Sequence, residues 1–192
     1  MNLFDLAKSL NTFDVPLYIS EKNNCCFSIV IPSNELNRLR NKTDDNTNKE
    51  TGVYVSECSC YDFYEYAKQI NNEAVNQIEN LIFDRFGSFD ERKELVYSVF
   101  AILHEIGHVY HLLESKLTYD EFWEKYYVDW QNVWVEYQFC YNFLADTLEE
   151  KKKINMIFGE KYRNTAFEKY ADMFALNHFE ECLMKAKKIY NT

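Results

Sequence analysis

The pattern of apolar and polar residues changes after the first sixty residues of the chain. Three early segments are rich in β-branched and aromatic residues, which is typical of short strands: residues 15–20 (VPLYIS), 26–32 (CFSIVIP) and 52–59 (GVYVSECS). From residue 61 onward the chain contains no proline, and its apolar residues recur at helical spacing. The pattern therefore predicts an α+β fold that is mainly helical, with a small N-terminal β-sheet.

The whole chain, residues 1–192, is predicted to form one domain, because its length suits a single core and no linker interrupts it. Residues 1–60 make up the sheet region, and residues 61–192 make up a helical body. Between the second and third strands the segment of about 41–51 is polar and turn-rich. This composition predicts a mobile loop there.

Capping motifs indicate where helices begin. One helix should cover about residues 62–85. The next is predicted to start with a capping box in SFDE, in which Ser88 and Glu91 exchange hydrogen bonds with each other's backbone, and to run to about Leu113. TYDE at residues 118–121 has the same signature and predicts the start of a third helix.

The third predicted helix is rich in tryptophan, with Trp123, Trp130 and Trp134 at helical spacing. This spacing favours packing in the core over a binding surface. A fourth helical pattern covers residues 164–190.

Charge and hydropathy narrow the possible functions. The formal net charge is −10 at pH 7, and the chain lacks the basic stripe of a direct nucleic-acid binder. Its longest apolar run, residues 95–103, is too short to cross a membrane. The N-terminus has neither the basic start nor the apolar stretch of a signal peptide. We therefore expect a cytoplasmic protein, and the sequence leaves its oligomeric state open.

Three of the four histidines lie in one predicted helix, in FAILHEIGHVYH at residues 100–111. His104 and His108 are one turn apart and face away from the apolar stripe, so both imidazoles can reach one cation. Glu105 projects beside them, where it can contact a water molecule and accept its proton. Zinc suits imidazole ligands and keeps a position open for water. The motif predicts a catalytic zinc site; the alternative is that these histidines are hydrogen-bonded core residues.

A third ligand has to come from another segment. His111 is excluded, because three histidines on one straight helix span about 10 Å. The better candidate lies in EKYADMFA at residues 168–175. There Glu168 can bind zinc, while Asp172, one turn later, accepts a hydrogen bond from a ligand histidine.

Two alternatives to this assignment remain open. Glu136, in WVEYQF, is an alternative metal ligand. Glu168 can also serve only as a helix cap, because TAFE forms a capping box that begins at Thr165.

Gly107 lies between the two histidines, although glycine costs a helix about 1 kcal/mol relative to alanine. Its missing side chain would let another backbone approach the metal site, or would only relieve a tight helix crossing. Ala171 and Ala175 are also small, which would let the second motif's helix lie close to the first.

Together, HEIGH and the later E-x-x-A-D-x-F-A resemble the zinc peptidases called gluzincins, and within them the ImmA/IrrE family of phage and mobile-element metallopeptidases. The resemblance implies a zincin-like fold, with His104, His108 and Glu168 as zinc ligands and Glu105 as the catalytic glutamate. Many members cleave a helix-turn-helix repressor. The resemblance therefore implies hydrolysis of a peptide bond in a protein substrate of that kind.

The chain departs from the family pattern in two places. The two motifs lie further apart than we expect, so the tryptophan-rich helix would be an insertion. The tail after the second motif, LNHFEECLMKAKKIY, replaces the usual leucine-rich, proline-ended tail. The alternative function is a zinc-containing regulatory protein that binds a partner without cleaving it. Glu105 favours the enzyme, because a closed structural site needs no base.

Overall fold

The computed structural model describes residues 1–20, 27–30 and 50–190. Over these residues the protein is mainly helical with a three-stranded sheet, so the predicted α+β class is confirmed. The loop predicted at about residues 41–51 lies outside the described residues except for Glu50 and Thr51.

Helices make up most of the described chain, and none of them is both long and apolar enough to cross a membrane. Two π-helical segments, Trp123–Tyr127 and Cys140–Leu144, flank the tryptophan-rich helix. In chain order the α-helices are α1 (Leu3–Leu10), α2 (Cys60–Phe86), α3 (Lys93–Ser115), α4 (Tyr119–Phe122), α5 (Val128–Phe139), α6 (Leu148–Arg163) and α7 (Ala166–Tyr190).

The sheet consists of β1 (Leu17–Ile19), β2 (Phe27–Val30) and β3 (Gly52–Val55), in the spatial order β1-β3-β2. The central strand β3 pairs in parallel with β1 and antiparallel with β2. Gly52 has no room for a side chain, because a Cβ atom there would lie 2.6 Å from the carbonyl oxygen of Pro16. The three strands predicted from the sequence are present over these shorter ranges, and residues 26, 31 and 32 of the second prediction lie outside the described part of the chain.

The capping box predicted at Thr118 is confirmed. The Thr118 hydroxyl accepts a hydrogen bond from the backbone N–H of Glu121, and the Glu121 carboxylate accepts one from the backbone N–H of Thr118 at 2.8 Å. The same reciprocal pair, Thr147 and Glu150, starts α6.

The capping box predicted at Ser88 is wrong, because α3 begins only at Lys93. The residues after Ser88 make tertiary contacts with α7 instead. The Glu91 carboxylate forms an ion pair with Lys187, and Phe89 packs edge-on against an aromatic ring of α7. Contacts with another helix therefore outweigh a local hydrogen-bond pattern that would otherwise cap α3.

The helix predicted over residues 62–85 is present as α2, but it is kinked at Asn71. Asn71 leaves the helical conformation with φ −154° and ψ 83°. Its side-chain Oδ1 accepts a hydrogen bond from the backbone N–H of Ala74 at 3.1 Å. Asn71 thus caps the second half of α2 and re-satisfies a backbone donor that the kink frees.

The core is built around α3 and α7, which pack along each other. A Cβ atom at Gly107 of α3 would lie 3.0 Å from the Cβ atom of Phe174 and 3.2 Å from the Cα atom of Ala171, both on α7. Gly107 therefore relieves a tight helix crossing. The backbone that approaches it is the one that carries the second sequence motif.

We predict that Gly107→Ala lowers the free energy of unfolding by about 1–2 kcal/mol. The added methyl group would meet the Cα atom of Ala171 and the Cβ atom of Phe174, which can move only with the backbone of α7. This overpacking outweighs the gain in helix propensity. Chemical denaturation monitored by circular dichroism measures the change.

Gly159→Ala is the matched control. The new methyl group would meet only the carboxamide end of Gln77, at 3.3 Å, and this flexible side chain can move away. We expect this variant to be as stable as the wild type or more stable. A Gly107→Ala variant with undiminished stability would contradict the proposed crossing constraint.

Candidate metal centre

Two neighbouring helices bring three ligand-type side chains to one point. His104 and His108 lie one turn apart on α3, and Glu168 lies in the first turn of α7. The two imidazole Nε2 atoms are 3.1 Å apart. Glu168 Oε2 lies 3.2 Å from Nε2 of His104, and Glu168 Oε1 lies 3.6 Å from Nε2 of His108.

These separations suit a shared metal ion. Two ligand atoms bound tetrahedrally at about 2.0–2.1 Å from one zinc ion lie about 3.3–3.4 Å apart. The three side chains are 2–12% exposed. Glu168 Oε2 is buried without a well-formed hydrogen bond. His104, His108 and Glu168 form a buried group that can hold a metal ion.

The ring of His104 is held from behind by a carboxylate. Oδ1 of Asp172 lies 2.9 Å from Nδ1 of His104. The same oxygen accepts a hydrogen bond from Nη2 of Arg163 at 2.6 Å. With Asp172 accepting the Nδ1 proton, the Nε2 atom that faces Glu168 and His108 is free to act as a ligand.

The carboxylate of Glu168 is held by side chains from the segment between the two motifs. The indole Nε1–H of Trp130 donates a hydrogen bond to Oε1 of Glu168 at 2.8 Å. Tyr162 lines the same cleft as Glu168. Burial together with the charge of Glu168 raises the pKa of Tyr162 well above its usual value. Phe167 stacks on the ring of His108, with a centroid distance of 4.0 Å.

Without a metal ion, the group contains an ion pair between a protonated His104 and an ionised Glu168. Burial alone would lower the pKa of His104, but hydrogen bonds to Asp172 and Glu168 outweigh burial and raise it. Burial would raise the pKa of Glu168, but the facing imidazoles lower it. Burial lowers the pKa of His108 to about 3, so this imidazole is neutral at pH 7. A metal ion therefore competes with one proton, on His104.

Glu105 lies at the rim of this group rather than in it. With His104 and Glu168 it lines a cleft of about 450 Å³. Burial raises the pKa of Glu105 to about 7, with the charge of His104 lowering it and that of Glu168 raising it. A carboxyl group with such a pKa can exchange a proton with a molecule in the cleft at neutral pH.

His111 is not part of the group, as the sequence predicts. Its ring stacks on Tyr170 with a centroid distance of 3.7 Å and packs against Phe122 and Tyr126. Burial lowers the pKa of His111 to about 4, so it is a neutral core residue.

The structure does not bring Glu136 to the group. Its side chain is 54% exposed and forms an ion pair with Lys161 at 3.2 Å. Only half of the alternative capping role of Glu168 is present. The Thr165 hydroxyl accepts a hydrogen bond from the backbone N–H of Glu168 at 3.4 Å, whereas the Glu168 carboxylate faces the histidines.

Three further residues lie at this site although no sequence pattern indicates them: Trp130, Tyr162 and Arg163. The helical spacing of the tryptophans predicts core packing, and Trp130 is partly buried, but Trp134 is 43% exposed. Their spacing along the chain carries no signal of a role at the site, because each contact joins different helices. The side chains of Trp130 and Arg163 carry only hydrogen-bond donors, and buried carboxylates need donors. This residue chemistry is the one hint in the sequence that they could contact Glu168 and Asp172.

Comparisons with protein-family models, with curated proteins and with solved structures found no match to this chain. The assignment of a candidate metal centre therefore rests only on the residues and distances of this chain.

We predict that the wild type binds one Zn²⁺ ion per chain and that Glu168→Gln weakens this binding more than about 100-fold. Loss of a ligand should exceed the 10–100-fold typical for loss of an outer partner. Glu136→Gln is the matched control and should bind zinc like the wild type, because Glu136 lies outside the group. Competition with a chelator of known affinity measures all three. Equal affinity in wild type and Glu168→Gln would remove Glu168 from the ligand set.

We further predict that zinc affinity rises with pH, by up to about tenfold per unit, because binding must displace the proton from His104. The pKa of His104 is raised, so this rise continues above the usual histidine range. Asp172→Asn removes one cause of the raised pKa, so the rise should level off at lower pH. Chelator competition between about pH 6 and about pH 9 gives the slope. A pH-independent affinity would mean that no proton leaves the site.

Proposed function

We propose that this protein is a zinc-dependent metallopeptidase that hydrolyses a peptide bond of a protein substrate. One observation carries the proposal: a buried group of two imidazoles and one carboxylate borders a cleft that also contains a separate carboxylate, Glu105. A purely structural metal site would be closed by its ligands and would need no base beside it.

The donor set supports zinc as the metal. Two histidines and one glutamate are a usual ligand set of catalytic zinc in peptidases, with a further position left for water or substrate. Softer metals select thiolates, and hard cations such as Mg²⁺ select oxygen ligands. Two imidazole nitrogen atoms and one carboxylate are intermediate in softness between these ligand types, which suits zinc.

Each side chain then has a chemical task. Zinc, when bound, supplies Lewis acidity that acidifies water and polarises a carbonyl oxygen. Glu105 accepts a proton from water and returns it to the leaving amine. Burial raises the pKa of this carboxyl group, which makes its ionised form a better proton acceptor. Asp172 and Trp130 hold His104 and Glu168 in place, which preserves the spacing that the reaction needs.

The two sequence motifs support a zincin-like fold and a place in the ImmA/IrrE family, and with it a helix-turn-helix repressor as substrate. The order of a small sheet followed by the helix with His104 and His108 agrees with this assignment. The absence of a membrane-spanning pattern from the described helices is compatible with the proposed cytoplasmic location.

We predict that Glu105→Gln keeps the fold and the zinc but loses nearly all cleavage. The amide preserves the shape of the side chain and cannot accept the proton of the attacking water. The wild type and the variant are each co-expressed with a helix-turn-helix repressor as the candidate substrate, and repressor fragments are followed by mass spectrometry. Glu114→Gln, an exposed position on the same helix, is the control and should cleave like the wild type.

The same experiment separates an enzyme from a binding protein. An intact repressor that is equally inactivated by wild type and Glu105→Gln would show that binding suffices, and the peptidase proposal would fall. Fragments that depend on wild-type Glu105 and disappear when zinc is removed by chelation would support it.

A further inference from the structure

A second cavity of about 510 Å³ adjoins the cleft of the metal centre. It lies between α2, α5 and α6, so the segment that separates the two sequence motifs builds much of its wall. Asn71, Tyr162 and Arg163 line both the cavity and the cleft. Because the cleft is also lined by His104 and Glu168, these shared residues separate the cavity from the candidate metal centre.

Local backbone features open this cavity. The kink of α2 lies at its edge, where Asn71 leaves the helical conformation. Gly159 of α6 lies in its wall, and a Cβ atom there would come within 3.3 Å of the Gln77 carboxamide. A kink and a glycine thus leave space where two regular helices would pack together.

The lining combines flat rings with neutral hydrogen-bonding groups. Tyr137 and Phe158 pack edge to face, with centroids 5.9 Å apart, and the Tyr137 hydroxyl donates to Oδ1 of Asn155 at 3.0 Å. The cavity is also lined by the rings of Trp134 and Tyr141 and by the carboxamides of Gln77 and Gln138.

The described side chains that line the cavity carry no unpaired charge. None of its described lining residues is a carboxylate, and Arg163, the cation among them, forms an ion pair with Asp172 at 2.6 Å. A charged guest would lose hydration there without gaining an opposite charge, which is costly. An aromatic guest would stack against the rings, and its hydroxyl or indole N–H would pair with a carboxamide.

We propose that this cavity is a substrate subsite for an uncharged aromatic side chain, tyrosine, tryptophan or phenylalanine, close to the scissile bond. The inference rests on the proposed peptidase function for its catalytic meaning. Tyr162 and Arg163 line both this cavity and the cleft that contains Glu105 and Glu168, so we expect the selected residue to lie beside the bond that is cut.

Binding tests the subsite without cleavage. Ligand-observed NMR should detect N-acetyl-tyrosinamide binding to the zinc-loaded protein and should detect at least tenfold weaker binding of N-acetyl-glutamic acid amide. Gly159→Trp fills the cavity and should weaken the tyrosine probe about tenfold or more. Met156→Trp is the matched control on the same helix, and its 60% exposed position should leave binding unchanged. Equal binding by both tryptophan variants would overturn the assignment.

A second variant, designed to gain a new specificity, tests the subsite even if Gly159→Trp does not fold. Gln138→Glu keeps the acceptor for Asn142, 3.0 Å away, and adds one negative charge to the cavity. This variant should bind N-acetyl-lysinamide, which the wild type should not. A variant that still discriminates against the lysine probe as strongly as the wild type would contradict the subsite.

Cleavage of a proteome-derived peptide library links the subsite to catalysis. The wild type should favour aromatic residues at one position beside the scissile bond, and Gly159→Trp should favour small residues at that position alone, with unchanged zinc content. The same preference in both would overturn the inference. If the wild type cleaves no peptide, the proposed function fails, while the binding measurements still decide whether the cavity accepts aromatic side chains.

Discussion

The close crossing of α3 and α7 at Gly107 is the constraint on which the rest of the site depends. Because Gly107 has no Cβ atom, α7 approaches so closely that a Cβ atom there would lie 3.0 Å from the Cβ atom of Phe174 and 3.2 Å from the Cα atom of Ala171. This approach brings the carboxylate of Glu168 within 3.2–3.6 Å of two imidazole nitrogens. A wider crossing would separate the histidines from this carboxylate and would leave the buried carboxylate without a positive partner on α3.

Bringing these groups together has an electrostatic consequence. A buried carboxylate is stable only with opposite charge or donors around it, and Glu168 has both: the imidazoles on one side and Trp130 on the other. Asp172 is likewise balanced between His104 and Arg163. The donors Trp130 and Arg163 come from the segment between the motifs. This segment therefore supports the candidate metal centre as well as building the adjoining cavity.

Much of the local structure followed from the chain's patterns. β-Branched segments marked the three strands, and the capping box at Thr118 marked a helix start, because these signals act between residues close in sequence. The same kind of signal failed at Ser88. There the ion pair of Glu91 with Lys187 and the packing of Phe89 determine the backbone, and contacts with α7 cannot be inferred from the four residues of a capping motif.

By itself the sequence determined that His104 and His108 share one helix face, because a spacing of four residues in an α-helix leaves no other arrangement. It also determined that His111 could not join them on a straight helix. Only the tertiary structure places Glu168, and not Glu136, beside the two histidines, although both occur in helical segments after HEIGH. The choice depends on which helix crosses α3 at Gly107, and the packing of side chains from distant segments decides that crossing. The roles of Trp130, Tyr162 and Arg163 depend on the same packing, since their partners lie on other helices.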